Sequence, residues 1–346
     1  MTAAHHKLKI RAALFTLAPL LLIVSSAFAA DNSLIERPQA QQFIDMMMSK
    51  HQFERAALTQ LLSETELSSE IIKAITRPYE SKPWHQYRPI FVTQKRIKRG
   101  LEFWQANSET LARAEKEYGV PPEIITAIIG VESFYGVHKG RYRVLDALTT
   151  LGFDYPKRGK FFRRELAQYL LLTREEGVDP RSIKGSYAGA MGQPQFIASS
   201  YRAYAVDFND DGIRDLWDST EDVIGSVANY FRRHGWQQDQ PIASRAKIND
   251  NGFKKVIKRS LKPTMTVAQF NTHGVALDAS PAEGVTDATK ATLIELKNES
   301  TNEYWLGYRN FYVISRYNHS ALYSMAVFQL ATELRNQHDA ARTNVN

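Results

Sequence analysis

The chain of 346 residues contains no cysteine, and this absence limits what can hold its fold together. It excludes disulfides, cysteine-ligated zinc, iron–sulfur clusters, a thiol nucleophile and any lipid anchor attached through cysteine. The fold has to rest on its core, and a chain of this length can form a sizeable core without covalent staples. At roughly 150 residues per domain, we expect two domains, one of them large.

The net charge of the chain is +7, which favours an acidic partner such as nucleic acid, anionic lipid or an anionic polymer. The first 30 residues combine basic side chains, an apolar run from Ala12 to about Val24 and an Ala27-Phe28-Ala29 motif. This pattern predicts a cleaved signal peptide over 1–30. A transmembrane anchor is the alternative, but the run contains Pro19 and is shorter than the ~20 residues that span a bilayer.

Cleavage of the signal peptide would remove three basic residues and no acidic ones, so the remaining chain would carry +4. The smaller charge and the predicted export both argue against nucleic acid as a partner. We therefore expect the mature protein to work outside the cytoplasm without a stable membrane anchor.

Hydrophobic periodicity predicts a mainly α chain (α+β) with one β-rich part. Helical patterns cover 41–75, 95–118, 122–134, 161–176 and 219–234. Prolines, glycines and short apolar runs follow, with a predicted strand over 292–296. The predicted order is an α-helical domain over 31–239, a β-rich inserted subdomain over 240–300, a return to the core over 301–335 and a tail over 336–346.

Residues 207–218 match the twelve-residue calcium loop of EF-hand proteins. The ligands would be five side chains at positions 1, 3, 5, 9 and 12 and the backbone carbonyl at position 7: Asp207, Asn209, Asp211, Asp215, Asp218 and Ile213. Gly212 stands at position 6, where the loop turns sharply. Asp218 replaces the usual glutamate, which leaves the coordination number open. We expect a structural calcium ion; the alternative is a loop of Asx turns without metal.

Glu132 is the single acidic residue after Glu123 in the apolar helix predicted over 122–134. Its neighbours one turn earlier are Ile128 and Ile129, and the C-terminal end of a helix disfavours negative charge. Both effects would raise its pKa, as a general acid at neutral pH requires. The alternative is a buried structural glutamate whose charge is satisfied by an arginine or by backbone groups.

Two further segments point to a ligand. The stretch 185–196 is rich in small residues that let a backbone approach a ligand closely, although tight helix packing would explain it as well. Between 304 and 323, seven of the 20 residues are aromatic. Aromatic faces stack on sugar rings, whereas a purely aromatic core is the alternative. The polar run Tyr317-Asn318-His319-Ser320 favours a binding surface.

Four segments in this order resemble motifs of the lytic murein transglycosylase B family: 131–136, 186–192, the 207–218 loop and 316–320. The similarity extends from about 83 to 329. It implies a lysozyme-like catalytic core with an α domain, a β domain and a groove for the glycan. Gln193-Pro194 stands where close relatives carry Tyr-Gly, and Phe161 where relatives can carry tyrosine. Some family members are lipoproteins; this chain, without cysteine, would be a soluble periplasmic form.

The resemblance also implies roles for individual residues. Glu132 corresponds to the catalytic glutamate of the family. The groove-lining positions correspond to Tyr87, Arg158, Ser186, Gln195, Tyr230, Tyr317, Asn318 and Tyr323. Among these, Ser186 would orient the N-acetyl group or muramoyl side chain, and Arg158 would pair with carboxylates of the peptide stems unless it is simply solvated.

The implied substrate is the glycan strand of peptidoglycan, and other cell-wall enzymes are candidate partners. Cleavage at the β-1,4 bond between N-acetylmuramic acid and N-acetylglucosamine would leave 1,6-anhydromuramoyl ends. The nearest alternative is a hydrolytic lysozyme, which commonly uses two carboxylates, whereas these motifs supply one. A non-catalytic wall-binding module and a calcium-dependent adhesion or signalling protein are the remaining alternatives.

Overall fold

The structure is a computed structural model that describes residues 34–77, 82–258, 260–278 and 282–343. The signal peptide predicted over 1–30 lies outside these ranges. Within them, no helix is both long and apolar enough to cross a membrane.

Helices make up most of the described chain before residue 240. They are α1 Pro38–His51, α2 Arg55–Ser63, α3 Ser69–Ile75, α4 Trp84–Phe91, α5 Gln94–Ala106, α6 Ser108–Tyr118, α7 Pro122–Ser133, α8 Val144–Asp154, α9 Gly159–Glu175, α10 Ala198–Tyr204 and α11 Thr220–Arg233. The helices predicted over 122–134, 161–176 and 219–234 are confirmed. Helix α7 is buried along nearly its whole length, because it is apolar on all sides and lies in the main hydrophobic core.

The prediction of one continuous helix over 95–118 is wrong, because Asn107 separates α5 from α6. The side-chain amide of Asn107 donates to the carbonyl of Phe103 at 2.8 Å, and the Asn107 backbone N–H donates to the same carbonyl at 3.1 Å. Asparagine competes in this way with the backbone hydrogen bonds of a helix interior. Helix α5 therefore ends at Ala106, and α6 begins at Ser108 after the non-helical Asn107.

The strands of the described chain form two antiparallel sheets. The smaller sheet pairs β1 (Tyr142–Arg143) with β2 (Lys184–Gly185). The larger has the order β4 (Met265–Thr266), β6 (Lys290–Leu296), β7 (Glu303–Gly307), β3 (Ala243–Ile248) and β5 (Val275–Leu277), with the short helix α12 (Val267–Asn271) after β4. Strand β6 confirms the prediction over 292–296. Strand β7 lies beyond 300, within the segment expected to return to the core.

Two C-terminal helices, α13 (Arg309–Ile314) and α14 (Ala321–Thr343), join the sheet to the helical core. An apolar cluster links α4, the sheet and both C-terminal helices; it contains Trp84, Tyr87, Ile294, Leu296, Phe311 and Met325. Helix α14 also packs along α7. It continues through 336–343, a stretch expected to be a tail, where His338 stacks on Trp104 with ring centroids 4.2 Å apart. Helix α14 is thus placed beside the glutamate of α7.

Candidate active site

Helix α7 places Glu132 in its last turn. Pro122 occupies the first helical turn, where its fixed φ angle favours helix, and the apolar side chains that follow are buried. The chain then leaves the helix sharply, because Phe134 and Tyr135 have φ angles of 54° and 59°. Positive φ is unfavourable for such side chains and is concentrated at functional sites. The Ser133 hydroxyl supports this turn by accepting from the Gly136 N–H at 3.0 Å.

The Glu132 side chain retains some solvent exposure, but its carboxyl is desolvated by the surrounding protein. Burial raises the pKa of Glu132 to about 7 from an ordinary value of 4.5. The Tyr323 hydroxyl opposes this rise by donating to Oε1 at 2.6 Å, because the hydrogen bond favours the ionised form. The carboxyl therefore exchanges its proton near neutral pH.

Three tyrosines form a cluster beside this carboxyl. The Tyr317 ring stacks on Tyr323 with a centroid distance of 6.5 Å, and Tyr230 lies 4.7 Å from Tyr317. Tyr317 donates to the carbonyl of Pro194 and Tyr230 to that of Arg316, both at 2.6 Å. Burial, reinforced by the negative charge of Glu132, raises the pKa of Tyr317 and Tyr323 well above 10. Both phenols therefore remain neutral hydrogen-bond donors at neutral pH.

The small-residue stretch forms a tight turn after strand β2. The Ser186 hydroxyl oxygen accepts from the N–H groups of Ala188 and Ala190 at 3.2 and 3.0 Å. Gly140 is required opposite this turn, because a Cβ there would lie 2.0 Å from the carbonyl carbon of Gly185. Gln195 follows with a φ of 52°, and its side-chain amide donates to the Gly192 carbonyl at 2.8 Å.

The remaining predicted groove residues lie in different settings. Tyr87 is buried on α4 between Trp84 and Phe91. Asn318 follows Tyr317 in the turn before α14 and is half-buried. Arg158 is exposed, and its guanidinium lies 4.3 Å from the centroid of the Phe161 ring. The contacts found in the described chain thus connect Tyr230, Tyr317 and Tyr323 with Glu132, but connect neither Arg158 nor Ser186 with it.

Other carboxylates near the helical core are committed to structural bonds. Glu165 accepts from the Ser199 N–H at 3.0 Å, and Asp146 accepts from the Glu66 N–H at 3.1 Å. Asp154 pairs with Arg37 at 2.5 Å. None of the three is among the groups that shift the pKa of Glu132. Of these four carboxyls, Glu132 is the one that accepts a hydrogen bond from the tyrosine cluster.

Gln193, which in the sequence is noted only as a departure from relatives, is buried next to Pro194, the residue that accepts the Tyr317 hydrogen bond. Its side-chain amide donates to the carbonyl of Trp217 at 3.1 Å, at the end of the 207–218 loop. A buried polar side chain that bridges two loops is recognisable only after the chain has folded. A glutamine beside a proline carries no local signal of this kind.

The 207–218 loop has the oxygen-rich composition that calcium prefers. The carboxylate of Asp207 accepts the N–H of Gly212 at 2.7 Å, and Asp215 accepts the N–H of Trp217 at 2.7 Å. Gly212 has a φ of 90°, as the sharp turn requires. Asp218 instead pairs with Lys139 at 2.9 Å, and within the described ranges no three acidic or histidine side chains are grouped closely enough to hold a metal.

Comparisons with known proteins identify the family. The family model described as the transglycosylase SLT domain matches residues 36–332. The chain is 43% identical over 303 residues to the membrane-bound lytic murein transglycosylase B of Escherichia coli K12, covering 85% of this chain and 81% of that protein.

Solved structures of lytic transglycosylases match the fold of this chain. The soluble lytic transglycosylase SltB1 from Pseudomonas aeruginosa matches with a TM-score of 0.81 at 48% identity, covering 87% of this chain and 100% of that chain. The Escherichia coli lytic transglycosylase Slt35 in complex with calcium matches with a TM-score of 0.78 at 41% identity, covering 87% of this chain and 94% of that chain. The predicted lysozyme-like, mainly α fold and the predicted enzyme class are confirmed. The chain belongs to the SLT-domain family of lytic murein transglycosylases, enzymes that act on peptidoglycan.

Proposed function

We propose that Glu132 is the single catalytic carboxyl of this lytic transglycosylase, first as general acid and then as general base. The observation that carries the proposal is its setting in the last turn of α7. There the pKa is about 7 and the Tyr323 hydroxyl donates to the carboxylate at 2.6 Å. A group whose pKa lies near the working pH can both give and take a proton.

The reaction would proceed at the β-1,4 bond between N-acetylmuramic acid and N-acetylglucosamine. Protonated Glu132 gives its proton to the glycosidic oxygen as the bond from that oxygen to C1 of the muramoyl sugar breaks. The C6 hydroxyl of the same sugar then attacks C1, and its proton passes to the Glu132 carboxylate. The products are a free N-acetylglucosamine end and a 1,6-anhydromuramoyl end, and no water is consumed.

The single carboxyl favours this route over hydrolysis. Glycosidases that use water or a covalent intermediate commonly place a second carboxylate about 5–9.5 Å from the acid. Asp146, Asp154 and Glu165 are all engaged elsewhere, as described above. A nucleophile within the substrate makes a second carboxylate unnecessary, so the hydrolytic lysozyme is the less favoured alternative.

The tyrosine cluster would support both steps. After the first proton transfer, the hydrogen bond from Tyr323 stabilises the carboxylate that must then act as a base. Tyr230 and Tyr87 are buried, and we propose that they form the floor of the groove. Ser186, Gln195, Tyr317 and Asn318 are half-buried and would contact the glycan. Exposed Arg158 would reach carboxylates of the peptide stems.

The 207–218 loop would bind one structural calcium ion. Its donors are all hard oxygen ligands, and a solved relative, Slt35, is a complex with calcium. Asp207, Asn209, Asp211, Asp215 and Asp218 would supply side-chain oxygens, and Ile213 its carbonyl. Coordination by Asp218 requires this carboxylate to leave Lys139.

We also propose that the mature chain works in the periplasm after cleavage of the signal peptide. The basic side chains at the N-terminus, the apolar run after them and the Ala27-Phe28-Ala29 motif support export, and the relatives are bacterial murein enzymes. Secretion of a fusion of residues 1–30 to a reporter enzyme, with and without a charged substitution in the apolar run, would test this proposal.

The substitution Glu132→Gln tests the catalytic role. It keeps the size of the side chain but removes the transferable proton, so we expect soluble, folded protein that still binds sacculi and has lost turnover. Glu165→Gln is a control, since that buried glutamate lies outside the tyrosine cluster. Turnover by Glu132→Gln comparable to that of the unmodified enzyme would assign the acid to another residue.

A further inference from the structure

The end of the 207–218 loop is hydrogen-bonded to the segment that follows helix α7. Lys139 Nζ bonds the Asp218 carboxylate and the Trp217 carbonyl, both at 2.9 Å. Lys139 is seven residues beyond Glu132, in the turn between α7 and β1. The same carboxylate would occupy the last ligand position of a calcium loop, so a bound calcium ion would have to compete with Lys139 for Asp218.

A second segment, Gln193–Gln195, is also hydrogen-bonded to the end of this loop. The backbone N–H of Gln193 donates to the Leu216 carbonyl at 2.8 Å, and the Gln193 side chain donates to Trp217. Gly192 lies so close to the loop backbone at Leu216 that an added Cβ would be 2.5 Å from the Leu216 carbonyl oxygen. Because Gly192 and Leu216 are in close contact, the end of the loop cannot shift without also displacing Gln193.

The Gln193–Gln195 segment is in turn bonded to the tyrosine cluster. Pro194 accepts the hydrogen bond of Tyr317 at 2.6 Å, Tyr317 stacks on Tyr323, and Tyr323 bonds Glu132. The side chain of Gln193 also lies against Gly136, where an added Cβ would be 3.0 Å from its amide carbon. Contacts therefore run without interruption from Asp218 to Glu132.

We propose that calcium in the 207–218 loop is coupled to the position of Tyr317 and Tyr323 through Gln193–Gln195, with Lys139 as the internal competitor for Asp218. The inference rests on the calcium site proposed above. The switching element has two arrangements: Asp218 bonded to Lys139, or Asp218 turned into the loop. A ligand shifts such an equilibrium only through its different affinity for the two arrangements, and calcium gains Asp218 in one of them.

The experiment uses the full mature chain, treated with chelator and labelled with 13Cζ-tyrosine, and calcium chloride as the probe. Phenylalanine substitutions assign the Tyr317 and Tyr323 resonances. We expect both to shift with the calcium dependence measured by calorimetry. Tyr304, which packs on Phe253 and bonds Glu295 in the sheet, is the internal control and should not shift. In Tyr317→Phe, which loses the bond to Pro194, the calcium-induced shift of Tyr323 should fall to less than half.

Lys139→Met tests the competition separately. Breaking an exposed ion pair should tighten calcium binding about two- to fivefold, whereas Lys139→Arg keeps the cation and should leave the affinity unchanged. Calcium binding that leaves both tyrosine resonances in place would overturn the coupling but not the calcium site. An unchanged affinity in Lys139→Met would overturn the role of Lys139. The absence of any calcium heat would overturn the calcium site itself, while the chemistry proposed for Glu132 would stand.

Discussion

Glu132 should reduce the stability of the folded enzyme at alkaline pH, and Glu132→Gln should recover that stability. Burial raises the pKa of Glu132 from 4.5 to about 7, so the folded state holds this proton more tightly than the unfolded chain does. The stabilisation that results is complete below pH 4.5 and is lost as pH rises through 7. Above pH 7 the folded protein contains Glu132 as a partly desolvated carboxylate, which lowers its free energy of unfolding.

The magnitude follows from the two pKa values, 4.5 and about 7, at 1.36 kcal/mol per pH unit. Between pH 4 and pH 8.5 the wild type should lose about 3 kcal/mol of unfolding free energy through this one group. Glutamine does not ionise, so the variant should not suffer this loss. The comparison between the two pH values cancels the pH-independent difference between a carboxylic acid and an amide.

Guanidinium unfolding at both pH values measures the free energy of unfolding. Equal slopes of this free energy against denaturant concentration show that the wild type and the variant undergo the same transition. Glu102→Gln is the matched control: that glutamate is exposed on α5, and surface substitutions usually change stability by less than about 0.5 kcal/mol. The reasoning is refuted if Glu132→Gln gains no more between pH 4 and pH 8.5 than Glu102→Gln does.

Two other predictions concern Tyr323 and the calcium loop. Tyr323→Phe removes a hydrogen bond to a carboxylate, worth about 1.5–3 kcal/mol, and should move the alkaline limb of kcat/KM upward by about 1–2 pH units. If the alkaline limb of kcat/KM, measured on solubilised glycan strands, stays in place or moves to lower pH, Tyr323 does not lower the pKa of Glu132. Calcium at about 100 times its Kd should stabilise chelator-treated protein by about 2.7 kcal/mol, and calorimetric melting of Asp218→Ala should show a smaller gain. Equal calcium-induced gains in the two proteins would remove Asp218 from the ligands.

Local patterns predicted the elements that carry the chemistry. The apolar run with Pro122 at its start places Glu132 at a helix end, and this depends only on neighbours within a few residues. The spacing of oxygens around Gly212 depends likewise on twelve consecutive residues. The short apolar run over 292–296 likewise indicates strand β6 without any distant residue. Such features are visible in a sequence because the residues that define them are adjacent in it.

The arrangement around Glu132 could not be derived in this way. Tyr323, its hydrogen-bond partner, is 191 residues away, and Tyr317 is held by Pro194, 123 residues away. Contacts of this range are set by how α7 and α14 pack, not by a local pattern. The break at Asn107 has a different cause: the surrounding periodicity is helical, and one side-chain hydrogen bond overrides it.

The central claim is that one carboxyl, Glu132, performs the cleavage with a nucleophile from the substrate itself. Mass spectrometry of the products released from purified sacculi tests it most directly, with the wild type and Glu132→Gln compared at equal protein concentration. We predict that wild-type products end in anhydromuramoyl groups, one water lighter than reducing ends, and that Glu132→Gln releases none. Reducing ends from the wild type, or anhydro products from Glu132→Gln, would contradict the mechanism.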